Sequence, residues 1–428
     1  MQLTAGLVAQ PVYESTPLGT PVSPAGDCNG TAGTETSLGC EAPDFSGATT
    51  PKYDGDQENE PSVTRPRVMV IFGGRSSEHQ ISCATAASIM RAINTDRWDA
   101  IFVGITQSGQ WRLMPSNPQR FEMLDGHLQS VPDDEGIPVA LTPGNGHLVA
   151  FEVDGAVDLG AVDVVFPLLH GPFGEDGTIQ GLLEMAGVRY VGCGVAASAL
   201  SMDKHLTKTV LHAAGIEVGR WELITREQWN RDPAQCSARV EALGFPVFVK
   251  PCRAGSSIGI SKVHSLHELP AAVELAIHHD PRIMVEGLLT GREVECGVLD
   301  TPDGPQAAPI SEIVLPESQD GFYDFAAKYV DTDVIGLECP ADLDEAAAHT
   351  IQSIAVRAFE ALECEGLARV DFFFDPQSGQ ATVNEVNTMP GFTPISMYPR
   401  GWDVAGLAYP DLVDTLLRQA LTRGLGLR

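Results

Sequence analysis

Four polar residues near the end of the chain have types and a spacing that suit a divalent cation. Arg369 and Asp371 occupy one strand-like run, Glu385 and Asn387 occupy the next, and the Pro-Gln-Ser-Gly turn between the runs predicts a β-hairpin. Because side chains two apart on a strand share a face, we expect two carboxylates and an amide oxygen to converge beside a guanidinium. Such oxygen ligands suit Mg²⁺, which usually also holds substrate phosphates. The alternative is the solvated polar face of an ordinary hairpin, and these four residues do not decide between the two interpretations.

A second group of candidates lies at and after the end of the predicted strand 245–250. Lys250 ends this strand, and Arg253 lies in the Gly/Ser-containing loop 252–260 that comes next. Backbone N–H groups of such a loop can hold phosphate oxygens, and the two cations can supply charge. The loop is not a Walker A motif, because the chain contains no Gly-Lys pair. A plain hairpin turn is the alternative.

Two lysines lie one helical turn apart. Lys204 and Lys208 belong to a predicted helix over 196–214, and a spacing of four places both side chains on one face of that helix. This face is either a binding surface or a solvated basic surface. In a chain this acidic, two aligned lysines favour a binding role slightly more than they would elsewhere.

Two other predicted strands end in polar residues. The strand 282–289 has a backbone edge that could meet a purine, with Glu286 or Glu293 taking ribose hydroxyls. The buried strand 162–169 runs directly into His170, which opens a glycine-rich turn with two acidic residues. A structural histidine is the alternative for His170, because one histidine in a turn does not establish catalysis.

The overall composition excludes several classes of protein. A formal net charge of −30 on 428 residues makes binding to nucleic acid or to an anionic membrane unfavourable. No apolar run approaches the roughly 18 residues of a membrane span, and no secretory signal is evident. The nine cysteines include no Cys-x-x-Cys pair, which favours reduced thiols in a cytoplasmic protein.

The elements that must position these residues begin at residue 67. Residues 1–64 are rich in Gly, Pro, Ser, Thr and acidic side chains, which predicts a disordered extension. The apolar run 67–72, the turn at Gly73 and Gly74, and a helical pattern over 81–93 are typical of an open α/β sheet. Residues 107–150 contain Pro, Gly and Asp clusters and are interpreted as an insertion of loops and short strands.

Taken together, these stretches resemble the ATP-grasp superfamily and, within it, the D-alanine–D-alanine ligases. The resemblance spans residues 67–428. Its motifs are many, ordered and far apart: Gly73-Gly74 to Glu78, His170-Gly171 through Thr178, Met202-Asp203-Lys204, Val249-Lys250-Pro251, Gly255-Ser256-Ser257, Gly291-Arg292-Glu293, Tyr323-Asp324, Ala327-Lys328-Tyr329, Arg369-Val370-Asp371, Asn384 to Thr388 and Pro390-Gly391.

The resemblance implies an α/β (α+β) fold with three domains after the disordered arm 1–64. These are an N-terminal open parallel α/β sheet over 65–197, a central α+β lobe over 198–293, and a C-terminal α+β lobe with the metal site over 294–428. It also implies ATP-dependent joining of two D-alanine molecules through an acyl phosphate, for peptidoglycan precursors, by a cytoplasmic homodimer. The implied substrates are small molecules, with neither nucleic acid nor membrane as partner.

The resemblance further implies roles for individual residues. Those expected to contact ATP are Lys204, Lys250, Ser256, Ser257, Glu286, Leu289, Glu293 and Lys328. Those expected to hold two Mg²⁺ (or Mn²⁺) ions are Asp371, Glu385 and Asn387. Those expected to bind D-alanine are Glu78, His170, Ser396 and Met397. Those expected to act in catalysis are Glu78, His170, Ser256, Tyr329, Arg369 and Gly391.

The acceptor remains an open choice at this stage. Tyr329 favours an amine acceptor, because relatives that make D-alanyl-D-lactate tend to lack this tyrosine. Ala254, and Ala326 with Ala327, stand where relatives have charges that tie two mobile loops together, so loop closure is the role that the resemblance supports least. Gly287, in place of a common lysine, leaves backbone contacts to adenine possible. The alternatives are a D-alanine–D-lactate or D-alanine–D-serine ligase, and a non-catalytic relative that only binds nucleotide.

Overall fold

The structure, a computed structural model, describes residues 65–124, 126–255, 258–314 and 336–426. The predicted arm 1–64 lies outside these residues. The described part is mixed α/β with three sheets, which confirms the predicted fold class. The positions proposed above as domain boundaries stay predictions.

The first sheet has eight strands in the order β6-β5-β4-β3-β2-β1-β7-β8. Their bounds are β1 Arg67–Gly73, β2 Asp99–Ile105, β3 Trp111–Met114, β4 Ile137–Leu141, β5 His147–Glu152, β6 Gly155–Ala161, β7 Val164–Pro167 and β8 Arg189–Tyr190. Strand β1 pairs in parallel with β2 and β7, and β7 pairs in parallel with β8.

Half of this sheet differs from the parallel sheet that was expected. Strands β3 to β6 extend it from β2 as successive antiparallel pairs. Antiparallel neighbours need only short connections, whereas each parallel pair needs a crossover of a dozen residues or more. The region 107–150, interpreted as an insertion, therefore supplies strands that enlarge the first sheet.

Helices cover both faces of the parallel half. The run Val68 to Phe72 is fully buried, as a strand packed on both faces requires. One face shares a core with α1 (His79–Ala92) and with the last helix of the chain, and the other face packs against α2 (Thr178–Ala186).

The second and third sheets carry the other candidate residues. The second has the order β11-β10-β12-β9, with β9 Trp221–Thr225, β10 Val247–Pro251, β11 Ser261–Val263 and β12 Arg282–Gly287. The third has the order β16-β15-β13-β17-β18, with β14 paired to β13. Its bounds are β13 Arg292–Thr301, β14 Gly304–Ala307, β15 Ser311–Val314, β16 Gly336–Glu338, β17 Leu367–Asp375 and β18 Gln380–Asn387.

The single helix expected over 196–214 is wrong, because the chain forms two helices. They are α3 (Val195–Met202) and α4 (Lys204–Ala213), and Asp203 between them has extended backbone. The Asp203 carboxylate accepts hydrogen bonds from the backbone N–H groups of His205 and Leu206, both at 3.1 Å. An aspartate in this position caps a helix N-terminus, so it ends the first helix and starts the second.

The remaining helices are α5 Arg226–Arg231, α6 Pro233–Glu241, α7 Leu269–His279, α8 Glu345–Ala361, α9 Met397–Val404 and α10 Tyr409–Thr422. Helix α10 is bound to the first sheet through Asp414, whose carboxylate accepts from Trp98 Nε1 at 2.9 Å and from Arg97 at 2.8 Å. The chain after β18 thus comes back to the first sheet, and the segment 389–397 lies beside β7.

No helix in the described ranges is long and apolar enough to cross a membrane. The seven cysteines in those ranges are free thiols.

Candidate active site

The hairpin that the sequence predicts forms from β17 and β18. Arg369 lies opposite Asn387, and Asp371 lies opposite Glu385. These four side chains therefore share one face, as the alternation of the two strands indicates. The opposite face, with Val370, is buried in the core.

A bulge extends this polar face beyond what simple alternation would give. The register shifts after Asp371, so that Phe372 pairs with Val383 and Asn384 is the extra residue. One extra residue moves every following side chain to the other face of a strand. Thr382 consequently joins Glu385 on one face, although the two are three residues apart.

The carboxylate of Asp371 is held on several sides. Arg369 contacts it through Nε and Nη2, each at 2.7 Å, and Asn387 Nδ2 donates to it at 2.9 Å. Arg369 Nε also lies 3.2 Å from Glu295 Oε2. Glu295 belongs to β13, where it stands directly opposite Asp371. The guanidinium thus lies between two carboxylates and is fixed in direction.

The predicted metal ligands fit a hard divalent cation. Asp371, Glu385 and Asn387 provide two carboxylates and one amide oxygen on one face, the donor set that Mg²⁺ prefers when phosphate oxygens and water complete its shell. A self-sufficient group of three His, Cys, Asp or Glu side chains is not found in the described ranges. Any cation here would therefore depend on oxygens that a ligand brings.

Lys204 connects this face with the loop that follows β10. Its Nζ donates to Ala254 O at 2.8 Å and lies 4.0 Å from Glu385 Oε2. Lys204 is the first residue of α4, so the cap at Asp203 sets its position. Arg253, whose charge was expected to serve the loop, instead makes a bidentate ion pair with Asp280.

Two lysines share one buried carboxylate in the second sheet. Lys208 Nζ lies 2.6 Å from Glu286 Oε1, and Lys250 Nζ donates to Glu286 Oε2 at 2.8 Å. The Lys208 and Glu286 side chains are only 1% and 2% exposed. Burial opposes ionisation of Glu286, but the two cations outweigh it and hold the pKa of Glu286 at about 2. We call Lys204, Lys208, Lys250 and Glu286 the lysine end.

The burial of Lys208 decides one alternative that the sequence left open: the solvated basic face is wrong for this side chain. The adenosine contact expected of Glu286 stays a prediction, and both of its carboxylate oxygens lie against lysines. Leu289 lines a cleft of about 450 Å³, which also contacts Phe373 and Thr382 on the hairpin. Glu293 stands opposite Phe373 in the third sheet.

A second cluster lies where β7 meets the segment after β18. His170 Nδ1 donates to Met389 O at 2.9 Å, and Met389 N donates to Glu175 Oε1 at 2.9 Å. Glu175 Oε2 accepts from Gly171 N at 2.8 Å. Burial and the nearby Glu78 raise the pKa of Glu175 to about 8, whereas burial lowers the pKa of His170. We call Glu78, His170, Glu175 and Met389 the histidine end.

The Glu78 carboxylate lies against two glycines. A Cβ atom on Gly171 would stand 2.6 Å from Glu78 Oε2, and one on Gly255 would stand 3.1 Å from the same oxygen. Gly171 opens the turn after His170, and Gly255 belongs to the loop after β10. Glu78 therefore lies against both the turn after His170 and the candidate phosphate loop after β10. This contact brings the two ends of the site together.

The last candidates lie at the start of α9. Ser396 is the residue before this helix, and its Oγ accepts from Thr393 N at 3.1 Å and contacts Thr393 Oγ1 at 2.8 Å. A Cβ atom on Gly391 would stand 3.2 Å from Ser396 Oγ. Met397, the first residue of α9, is buried. Ser256, Ser257, Lys328 and Tyr329 lie outside the described residues.

Two sequence models of one protein family match separate parts of the chain. The model described as D-ala D-ala ligase N-terminus matches residues 67–193, and the model described as D-ala D-ala ligase C-terminus matches residues 210–418. Together they cover well over half of the chain. The chain belongs to the D-alanine–D-alanine ligase family.

Individual relatives and solved structures agree with this assignment. The D-alanine–D-alanine ligase of Arthrobacter sp. (strain FB24) is 49% identical over 377 residues, which cover 87% of this chain and 98% of the relative. The VanG D-Ala:D-Ser ligase from Enterococcus faecalis is 37% identical with a TM-score of 0.70 and covers 83% of this chain and 99% of its own. The D-alanine-D-alanine ligase from Coxiella burnetii is 34% identical with a TM-score of 0.68, and the match covers 83% of this chain and 94% of that structure's chain. The predicted ATP-grasp fold is confirmed by these structures.

Sequence patterns do not single out three residues of the candidate site: Glu175, Glu295 and Met389. Glu175 is one of two acids in the turn after His170, but its contacts with backbone N–H groups give no sequence signal. Glu295 carries a weak signal, because it sits two residues after Glu293 and therefore shares its face. The contacts of Met389 are made by its backbone, which sequence does not reveal.

Proposed function

We propose that this chain joins two D-alanine molecules into D-alanyl-D-alanine, consuming ATP and passing through an acyl phosphate. The observation that carries the proposal is the continuity of one segment. Asn387 belongs to the cation-binding face, and Met389, two residues later, bonds to both His170 and Glu175. The candidate metal ligands and the histidine end are therefore joined by the short backbone segment from Asn387 to Met389.

The reaction has two steps with separate demands. A carboxylate oxygen of the first D-alanine attacks the γ-phosphorus, and the bond to the leaving ADP breaks. The amine of the second D-alanine then attacks the acyl carbon, and phosphate leaves. The residues to which the family resemblance assigns ATP contacts are Lys204, Lys250, Ser256, Ser257, Glu286, Leu289, Glu293 and Lys328. It assigns the second D-alanine to Ser396 and Met397.

The metal ligands in this proposal are Asp371, Glu385 and Asn387. Two Mg²⁺ or Mn²⁺ ions, when bound, would neutralise charge on the triphosphate. Arg369 contributes a fixed guanidinium beside them, directed by Asp371 and Glu295. Together with the backbone N–H of Gly391, it would stabilise the oxyanion that forms when the second amine adds to the acyl carbon.

The tautomer of His170 supports a substrate role. Because Nδ1 faces the Met389 carbonyl, it carries the proton, which leaves Nε2 as an acceptor. Nε2 has no hydrogen-bond partner in the described ranges. The lowered pKa of His170, caused by burial, keeps the ring neutral near pH 7. A neutral acceptor beside Glu78 suits the ammonium group of the first D-alanine.

Glu78 and Tyr329 complete the proposed substrate contacts. Glu78 offers the negative charge that an ammonium needs, and its position between Gly171 and Gly255 leaves it little freedom to move. The family resemblance gives Tyr329 and Ser256, which lie outside the described residues, the role of keeping water from hydrolysing the acyl phosphate.

One experiment tests the proposal directly. Purified protein with ATP, Mg²⁺ and D-alanine is expected to yield D-alanyl-D-alanine and ADP in equal amounts, detected by mass spectrometry. Omitting D-alanine should suppress phosphate release. A folded sample that binds ATP yet forms no dipeptide at any Mg²⁺ or Mn²⁺ concentration would contradict the proposal and favour the non-catalytic alternative.

A second candidate is a D-alanine–D-serine ligase. The observation in its favour is the similarity to the VanG D-Ala:D-Ser ligase, at 37% identity and a TM-score of 0.70. Equal concentrations of D-serine and D-alanine, with D-lactate in a parallel reaction, separate the acceptors by product mass. Predominance of D-alanyl-D-alanine at neutral pH supports the first candidate.

Two further features belong to the same proposal. The family resemblance implies a homodimer in the cytoplasm, where the product enters peptidoglycan precursors. Free thiols throughout the described ranges suit a reducing compartment. Sedimentation at several protein concentrations would test the dimer, and a monomer at all of them would refute it.

A further inference from the structure

Lys208 is a buried cation that the proposed function leaves without a role. It lies on α4, one turn after Lys204, and its side chain is 1% exposed. Its partner is Glu286 Oε1 at 2.6 Å, and no other hydrogen-bond acceptor for its Nζ occurs in the described ranges.

Such a residue is costly for the fold. Removing an ammonium from water carries a large desolvation penalty, which a single ion pair repays incompletely, and an apolar side chain of similar volume is often as stable or more so. Burial accordingly lowers the pKa of Lys208, against the pull of Glu286. Packing alone therefore does not account for a lysine in this position.

The charges around Glu286 indicate what Lys208 contributes. Glu286 lies between Lys208 and Lys250, and Lys250 is the more exposed of the two cations, at 14% against 1%. Without Lys208, Lys250 and Glu286 would form a neutral pair, and the field of Lys250 toward a ligand would be largely cancelled. With Lys208, two lysines face one carboxylate, so the trio keeps one net positive charge.

That remaining charge matters because the chain as a whole repels anions. The formal net charge is −30, and Glu385 also lies near Lys204, the other cation at this end. A tetra-anionic nucleotide must therefore be attracted by local positive charge that overcomes the global field.

We propose that Lys208 is a positioning residue for the phosphates of the nucleotide. It acts through Glu286: it holds and neutralises that carboxylate, so that Lys250 keeps a net positive charge directed at the phosphate oxygens. The inference rests on the proposed function, in which Lys204 and Lys250 contact ATP.

The test compares two ligands that differ in phosphate. ATP and adenosine share the purine and ribose, so a purely structural loss at Lys208 would weaken both alike. Calorimetric titration without D-alanine gives both dissociation constants. Lys208→Met, which preserves the length of the side chain, is expected to weaken ATP on the order of tenfold and to leave adenosine unchanged.

A double variant separates charge from packing. Lys208→Met leaves the trio with no net charge, whereas Lys208→Met combined with Glu286→Gln restores one net positive charge on Lys250. The ratio of the adenosine to the ATP dissociation constant is expected to fall in the single variant and to recover in the double variant. Lys262→Met, which removes a lysine from β11 in the same sheet, is the control for overall charge and is expected to keep the wild-type ratio.

Each outcome has a definite meaning. Equal weakening of ATP and adenosine, or no recovery in the double variant, would overturn the proposal and leave Lys208 a structural residue. If Lys208→Met does not fold, the double variant, which has no carboxylate oxygen left without its lysine, still reports the ratio. Failure of the wild-type protein to bind ATP would instead contradict the proposed function, so the two failures are distinguishable.

Discussion

At the lysine end of the site, buried charges are matched by opposite charges, with Lys208 and Lys250 on the two oxygens of Glu286. At the histidine end, Glu175 is half-buried, and its oxygens accept hydrogen bonds from the backbone N–H groups of Gly171 and Met389. The consequences for ionisation are opposite. Despite burial, the pKa of Glu286 is held at about 2, and burial raises that of Glu175 to about 8.

This difference shows that burial alone does not determine whether a carboxylate is ionised. Two cations outweigh the desolvation of Glu286, whereas two backbone dipoles do not outweigh that of Glu175, which Glu78 opposes further. The lysine end therefore suits a multiply charged ligand. The histidine end suits a small ligand whose charges are met by a few fixed groups.

The largest expected effect comes from removing a charge on the face between the two ends. Asp371→Asn should lower kcat by on the order of 10³-fold or more, because it removes a proposed metal ligand and releases Arg369 from its 2.7 Å contacts. Steady-state kinetics at saturating ATP measure the loss. Asp375→Asn, on the same strand but bonded to the turn residue Ser378, is the matched control. Comparable activity in the two variants would refute the assignment of Asp371.

The next effect concerns the geometry of the histidine end. Gly171→Ala would place a Cβ 2.6 Å from Glu78 Oε2, so the carboxylate must move. A displacement of about 1 Å in a positioned group can cost on the order of 10²-fold, and we expect that loss in kcat/KM for D-alanine with the KM for ATP little changed.

Gly126→Ala is the control for this substitution. Gly126 has φ +77 and Gly171 has φ +69, so both changes strain the backbone alike, but nothing lies within 4 Å of a Cβ at 126. Wild-type-like kinetics in Gly171→Ala would show that Glu78 is not confined in this way.

A third prediction uses the raised pKa of Glu175. The ordinary pKa of a glutamate side chain is 4.5, and the pKa of Glu175 in the folded chain is about 8. Between these pH values the folded chain retains a proton that the unfolded chain releases, so the free energy of unfolding should fall as pH rises, by about 1.4 kcal/mol per pH unit. Glu175→Gln should remove this slope.

Denaturant unfolding at pH 5, 6 and 7 measures the slope. The wild-type protein and a variant with Glu152→Gln, an exposed carboxylate on β5, should lose stability across the range, and Glu175→Gln should lose less. An identical slope in all three proteins would mean that Glu175 is ionised in the folded state.

The smallest effect is expected from salt. Raising ionic strength from about 0.05 M to about 0.5 M shortens the screening length severalfold, which should weaken ATP binding by a few-fold. The KM for D-alanine should change less, because a zwitterionic amino acid carries no net charge whereas ATP carries several negative charges. Equal salt sensitivity of both substrates would remove the distinction drawn between the two ends.

Local patterns predicted much of the fold. The buried run 67–72, the glycine turn and α1 follow from hydrophobic periodicity, and the hairpin follows from alternation around a Pro/Gly turn. The break between α3 and α4 also had a signal, since Asp203 is a common capping residue. The bulge at Asn384 had none, because neither Gly nor Pro marks it.

Long-range contacts account for what the sequence left undetermined at the site. The residues proposed to bind phosphate or cation lie at strand ends and turns, which local sequence patterns mark. The hydrogen bond from Met389 to Glu175 joins positions that are 214 residues apart. The ion pair of Lys208 joins helix α4 to Glu286 on strand β12. Such pairings arise only when the sheets and helices pack.

The contacts of Met389 have a practical consequence for mutagenesis. Both hydrogen bonds that join His170 and Glu175 use the peptide groups of this residue. An alanine scan would truncate the thioether chain and leave that bridge intact, so it would score position 389 by packing alone. Replacing the residue by proline, or its amide by an ester through chemical synthesis, deletes the donor to Glu175 and exposes how much the bridge contributes.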